Sequence, residues 1–246
     1  MRKSSKDEFT LKTSDREDFY DKMSSEQHLM FDSIQENIFT FCEATAGSGK
    51  TITAIASMVD LLDRGVVDKI VYIQKPSERY LSNGFLPGTM DDKTNLLFLP
   101  FYDSMHKLGF FDSTIEAGLN NGSFRLVTDS TLRGINLERA GLVIDESQNI
   151  DYRTLKLIYT RCDDKCHVCT IGDIKQKDNK GTNRDFIEYG DYLSSKKFGN
   201  KVYLTNNFRG AFSKAAEEFS TKWIMGRLNS PYFYVYIQFN MCYNNI

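Results

Sequence analysis

Long hydrophobic runs are missing from this 246-residue chain, although 41% of its residues are hydrophobic. Its longest purely apolar stretches fall far short of the roughly 20 residues that a membrane-crossing helix needs. A secretory leader is missing too, since Met1 to Tyr20 is charged throughout. These absences predict a cytoplasmic protein with no membrane partner. Positive charge is not in excess either. With 31 Lys+Arg against 33 Asp+Glu the formal net charge is −2, so contact with nucleic acid would have to come from a local patch. No internal repeat or low-complexity block is present. The length suits one good-sized domain with short appendages.

Cysteine is sparse, but three of the five stand together in "RCDDKCHVC". Cys162, Cys166 and Cys169, with His167 as a spare, imitate the spacing of an iron–sulfur ligand set. Yet "CHVCTIGD" alternates as a strand does, sending Cys166, Val168 and Thr170 to one face and His167 and Cys169 to the other. Three ligands around one metal need a loop there. The strand pattern predicts ordinary thiols, which need not pair in a reducing compartment.

The strongest local signal is "FCEATAGSGKTITAIA", residues 41–56. Ala44, four further residues and then Gly49-Lys50-Thr51 fit a phosphate-binding loop, with Ala at the relaxed first position. Gly47 and Gly49 let the backbone curl so that N–H groups along Ala46, Gly47, Ser48 and Gly49 point at phosphate oxygens. Lys50 carries an ammonium for the β and γ phosphates, and the Thr51 hydroxyl is placed to ligate Mg²⁺. A strand over Ile38–Cys42 precedes the loop, and "TITAIASMVDLLDRG" follows with apolar residues at helical spacing. The helix dipole favours anions at that end. ATP and Mg²⁺ are the expected cofactors.

Five further strands are expected at 69–75, 124–130, 141–147, 167–173 and 201–206. Helices fall among them, at "SSEQHLMFDSI", around Leu96–Leu108 and at "YRTLKLIYTRC". Near-continuously apolar strands alternating with helices predict an α/β fold, a mostly parallel sheet covered on both faces. Ligands bind such sheets at the carboxyl ends of the strands. "GLVIDE" delivers Asp145 and Glu146 there, either an ordinary pair of strand-end charges or a catalytic pair. In the catalytic reading Asp145 holds Mg²⁺ and Glu146 orients and deprotonates the attacking water. "TIGDIKQ" adds Asp173 and Gln176, whose amide can report on a γ-phosphate. "LTNNFRG" adds Phe208 and Arg209. Residues 1–23 are polar and read as a flexible arm.

Taken in order, "ATAGSGKT", "VIDESQN" and "IGDIKQKD" resemble the motifs of PhoH-like proteins, relatives of the superfamily-one helicases. "QKPSERYLSNGFLPGTMDDK" and "STLRGINLERAGLVIDESQN" resemble the same family over residues 24–210, and short members of it are familiar from bacteriophages. The resemblance implies a single RecA-like P-loop NTPase core, Mg²⁺-dependent ATP hydrolysis, RNA or single-stranded DNA as partner, and a hexameric homo-oligomer. It puts Gln27 on the adenine edge, stacks Phe208 on adenine, and brings Arg209 to the γ-phosphate. It also implies an arginine given in trans by a neighbouring copy, because a second lobe does not fit after Arg209. Arg133 is the first candidate and Arg79 the second.

Three features depart from the family pattern. Lys75 stands where many relatives have arginine, which removes a bidentate phosphate contact. No nuclease segment is recognised, so RNase activity is not expected. Residues 211–246, a helix and an aromatic tail ending in "SPYFYVYIQFNMCYNNI", match nothing. They read as an edge strand, a subunit contact, or a truncated or frame-shifted end. The leading function is an ATPase motor working on nucleic acid. The alternative is a nucleotide-switched assembly module that unwinds nothing. A small-molecule kinase fits less well, having no need of "GDIKQ".

Overall fold

The computed structural model describes residues 11–75, 96–128, 132, 137–173 and 184–213. The chain opens with helices α1 (Ser14–Lys22) and α2 (Ser25–Glu36), strand β1 (Phe39–Ala44), helix α3 (Lys50–Asp63) and strand β2 (Lys69–Gln74). Helices α4 (Leu99–Lys107) and α5 (Asp112–Asn121) precede strands β3 (Phe124–Val127) and β4 (Ala140–Asp145). A 3-10 turn (Ser147–Asn149), helix α6 (Tyr152–Tyr159), strand β5 (His167–Gly172), helix α7 (Arg184–Ser194) and strand β6 (Gly199–Leu204) follow.

Among the described residues six strands make one sheet, ordered β3-β2-β4-β5-β1-β6, with every pairing parallel. Side chains of a strand alternate between faces, so a parallel sheet with helices on both sides needs apolar residues at every position. The strands supply them. Cys42, Tyr72, Val143 and Cys169 face a core completed by Met30, Met58, Phe101 and Ile115 from α2 to α5. Phe41, Val71, Leu142 and Val168 face the opposite core, closed by Leu155, Ile158 and Phe186 from α6 and α7. This is the expected α/β core, with strand ends shifted by a residue or two.

Topology positions the site. Strand β5 lies between β1 and β4. Because all three run parallel, the loop after β1, the acidic pair after β4 and Asp173 after β5 emerge at one edge. The first two of these are not on adjacent strands, and β5 fills the gap between them.

Two regions differ from the expectation or settle it. The stretch expected to be a flexible arm contains α1, capped by the Thr13 hydroxyl accepting from Arg16 N at 3.1 Å. None of the α1 residues is buried, which is why composition alone looks like an arm. The helix is tied down by Leu11, by Phe19 against the core and by an Arg16–Asp63 ion pair at 3.2 Å. The cysteines follow the strand pattern: Cys166 and Cys169 lie in cores on opposite faces of the sheet and cannot converge on one metal. No helix among the described residues is long and apolar enough to cross a membrane.

The chain forms two units, Met1–Asn206 and Asn207–Ile246. In the second, the Asn207 side-chain oxygen accepts from Arg209 N at 2.8 Å and its amide donates to Ser213 Oγ at 2.9 Å, closing a turn.

Candidate nucleotide-binding site

Strand β1 runs into a loop over residues 45–49 that opens α3. Gly47 and Gly49 take positive φ, 72° and 78°, values that other residues reach only with strain. Gly49 is required twice over, because a Cβ there would collide with the Gln27 amide nitrogen. The loop is braced from inside: Ser48 Oγ donates to Thr45 O at 2.8 Å, and Thr45 N donates to Leu204 O at 2.9 Å. Lys50 and Thr51 are therefore the first two helical residues, where backbone N–H groups lack intrahelical partners.

Both meet the end of β4. Lys50 Nζ lies 3.2 Å from Glu146 Oε1. Thr51 Oγ1 donates to Asp145 Oδ2 at 2.7 Å. Asp145 is buried and fully engaged, since Tyr72 OH donates to the same oxygen at 2.8 Å and Glu146 N donates to Oδ1 at 2.8 Å. Burial works against the Lys50 charge, but the Glu146 and Asp145 carboxylates outweigh it and hold the ammonium above its ordinary pKa. Burial, reinforced by the Asp145 charge, pushes the Tyr72 hydroxyl well up, so it stays a donor. Glu146 itself adopts a left-handed φ of 49°, a strained conformation for a non-glycine residue that turns its side chain back towards α3.

The donor set fits a magnesium-bound phosphate chain. A tightly curled loop, an ammonium and a helix N-terminus serve the anion, while a hydroxyl beside a carboxylate is the sparse protein ligation that Mg²⁺ takes alongside water.

The predicted residues divide into three groups. Gln27, the loop from Ala46 to Thr51, Asp145, Glu146 and Asp173 come together at one edge of the sheet. Gln27 sits beneath the loop rather than open to it: it is 7% exposed, its Nε2 donates to Ser48 O at 3.3 Å, and its Oε1 accepts from Ser24 N at 2.9 Å. Phe208, 57% exposed, and Arg209, also exposed, belong to the second unit. Gln176, Arg133 and Arg79 lie outside the described residues, as do the 84–88 loop and the aromatic tail. Lys75 pairs with Asp151 at 3.1 Å, and Asp151 caps α6 through Thr154 N at 3.0 Å.

Three residues with no role assigned from sequence contribute. Tyr72 was hidden inside an aliphatic strand, although a buried tyrosine usually needs a partner for its hydroxyl. Glu26, one residue before Gln27, accepts from Thr205 N at 2.7 Å and Asn206 N at 3.2 Å. Burial opposes its charge, but the Thr205 and Asn206 hydrogen bonds prevail and lower its pKa. Gln148, buried, donates from Nε2 to Glu146 Oε2 at 2.6 Å and accepts at Oε1 from Asp173 N at 3.1 Å. It joins the Glu146 carboxylate to the end of β5. Gly172 is glycine for this reason, since a Cβ would press on the Gln148 carbonyl oxygen at 2.9 Å and collide with Phe186. Gln148→Ala leaves Glu146 free to swing, so turnover is expected to fall roughly tenfold with nucleotide affinity within about twofold. A fall in affinity alone, measured by titration beside steady-state rates, would assign Gln148 a merely structural role.

The family model described as PhoH-like protein matches residues 21–206. The chain belongs to the PhoH-like family. A PhoH-like protein of Mycobacterium leprae is 31% identical over 150 residues, covering 61% of this chain and 43% of that relative. One from Bacillus subtilis is 30% identical over 146 residues, covering 59% and 46%. The chain thus aligns with less than half the length of these relatives. Among solved structures, the large terminase of a thermophilic bacteriophage superposes with a TM-score of 0.51 at 14% identity, covering 86% of this PhoH-like chain and 52% of the terminase. That likeness is one of fold.

Proposed function

We propose that this PhoH-like protein binds Mg-ATP at the loop after β1 and hydrolyses it. The observation that carries the reading is the double pairing of Thr51 with Asp145 and Lys50 with Glu146. It sets phosphate-binding groups directly against two carboxylates with separate tasks. When bound, Mg-ATP supplies a γ-phosphoryl group whose transfer to water is the reaction. Lys50 neutralises phosphate charge. Thr51 Oγ1 and Asp145 would hold the cation. With Lys50 drawn to phosphate, Glu146 Oε1 would be free to orient water and accept its proton. Gln148 keeps that carboxylate in place, and its contact with Asp173 N gives β5 a mechanical link to the reaction centre.

The proposal extends to nucleic acid and to assembly. Hydrolysis is coupled to binding or remodelling RNA or single-stranded DNA, in the manner of a helicase-like motor. The active species is a homo-oligomer, a ring of six, in which a neighbour supplies an arginine, Arg133 first and Arg79 second. Gln176 and Arg209 serve their own subunit's γ-phosphate. The test is ATP turnover with and without single-stranded RNA over a range of salt. Strong stimulation supports the motor. ATP binding and basal turnover that single strands leave unchanged support the nucleotide-switched module.

A further inference from the structure

Helices α6 and α7 lie side by side on the sheet and are bridged by tyrosines, Tyr159 and Tyr189 packing partly against the core while Tyr152 and Tyr192 are exposed. Tyr152 and Tyr189 have ring centroids 5.3 Å apart, and Tyr189 meets Tyr159 edge-on at 5.0 Å. Tyr192 stands one turn further along α7. Lysines lie over the rings: Lys156 Nζ is 5.9 Å from the centre of Tyr152 and Lys196 Nζ is 3.8 Å from that of Tyr192. The lysine–ring contacts found among the described residues all fall on α6, α7 and the adjoining strands. The outer tyrosines are well exposed, 44% for Tyr152 and 58% for Tyr192.

Charge sharpens the picture. The chain is acidic overall, with an isoelectric point near 6.0. Yet exposed Arg153 and Lys197 add to Lys156 and Lys196 here. Helix α7 carries three acids, Asp185, Glu188 and Asp191, of which Asp191 is engaged by Lys201 at 2.6 Å, against the four cations named. Protein–protein interfaces favour tyrosine but are depleted of lysine. Tyrosine interleaved with lysine is the composition that binds unpaired bases and phosphates together, because every base offers a face for stacking and every linkage a negative charge. Helix α7, at 11 residues, is about 16 Å long, room for roughly five stacked nucleotides.

We infer that the α6–α7 face is a binding track for single-stranded nucleic acid, with Tyr152 and Tyr192 as stacking platforms and Lys156 and Lys196 as phosphate contacts. The track rests on the proposed coupling for its purpose, but its binding is independent of ATP. Fluorescence anisotropy tests it, with labelled oligouridine and oligothymidine about twelve nucleotides long. The native protein should bind both, more tightly than a duplex; tighter binding of oligouridine would identify RNA as the source. Tyr152→Ala and Tyr192→Ala should each weaken binding about tenfold. Lys156→Glu with Lys196→Glu should weaken it further and flatten the salt dependence. Lys22→Glu, on exposed α1, should change nothing. Circular dichroism and basal ATP turnover should match the native protein in every variant. Equal affinity in native and variant proteins overturns the inference, as does a native protein that ignores single strands. So does a loss of self-association on sedimentation in place of a loss of nucleic acid, which would make the face a contact between copies. A protein that binds strands here but hydrolyses no ATP would sink the proposed function and leave the track standing.

Discussion

Glu146→Gln should bind ATP at least as tightly as the native protein and turn it over at least about a hundredfold more slowly. The substitution keeps the size of the side chain, and its carbonyl oxygen can still accept from Gln148 Nε2. What it removes is the proposed base. It also removes the negative partner of Lys50, now 3.2 Å away, so the ammonium is freed for phosphate and affinity should hold or rise. Equilibrium titration with a fluorescent ATP analogue, set beside phosphate release, separates the two effects. Unimpaired turnover would make Glu146 a structural member of the edge.

Much of this site was legible from residue order. The phosphate loop announces itself because its chemistry needs glycine, lysine and a hydroxyl at fixed spacing, and no packing demand imitates that. The acidic pair was legible as a pair, since Asp145 and Glu146 end an otherwise apolar strand. Tyr72 was not, because on paper it is one more apolar member of "KIVYIQ". Its role exists only where β2 lies beside β4 and brings Gln74 opposite Asp145. Gln148 was similarly silent. Its two hydrogen bonds tie the end of β4 to the end of β5, and nothing local encodes that link. The adenine role expected of Gln27 has a competitor in the structure, a buried strut under Ser48 and Gly49, which rests on contacts 21 residues apart. Helix α1 escaped notice because it is held by its neighbours rather than by an apolar face of its own.

Lys50→Ala should abolish hydrolysis outright, and so should Arg133→Ala, while mixing the two should restore part of it. The first variant loses the charge proposed to neutralise the β and γ phosphates. The second loses the arginine proposed to act on a neighbour, and an arginine given in trans is worth about 10³-fold or more in phosphoryl transfer. A Lys50→Ala subunit still carries Arg133, so it can complete the site of an Arg133→Ala neighbour whose Lys50 is intact. Head-to-tail contacts that close into a ring make each subunit both donor and acceptor. Mixed preparations as inactive as their components would remove Arg133 from this role, and Arg79 is the next to be paired. Full specific activity of the native protein as a monomer under dilution would remove the ring as well.

Phosphate release from ATP by the native protein, followed with Mg²⁺ present and with Mg²⁺ chelated, tests the central claim most directly. The pairing of Thr51 with Asp145 and of Lys50 with Glu146 predicts steady release that needs the metal and vanishes in Lys50→Ala. ATP bound at the loop in the presence of Mg²⁺, with release no faster than in buffer, would contradict it.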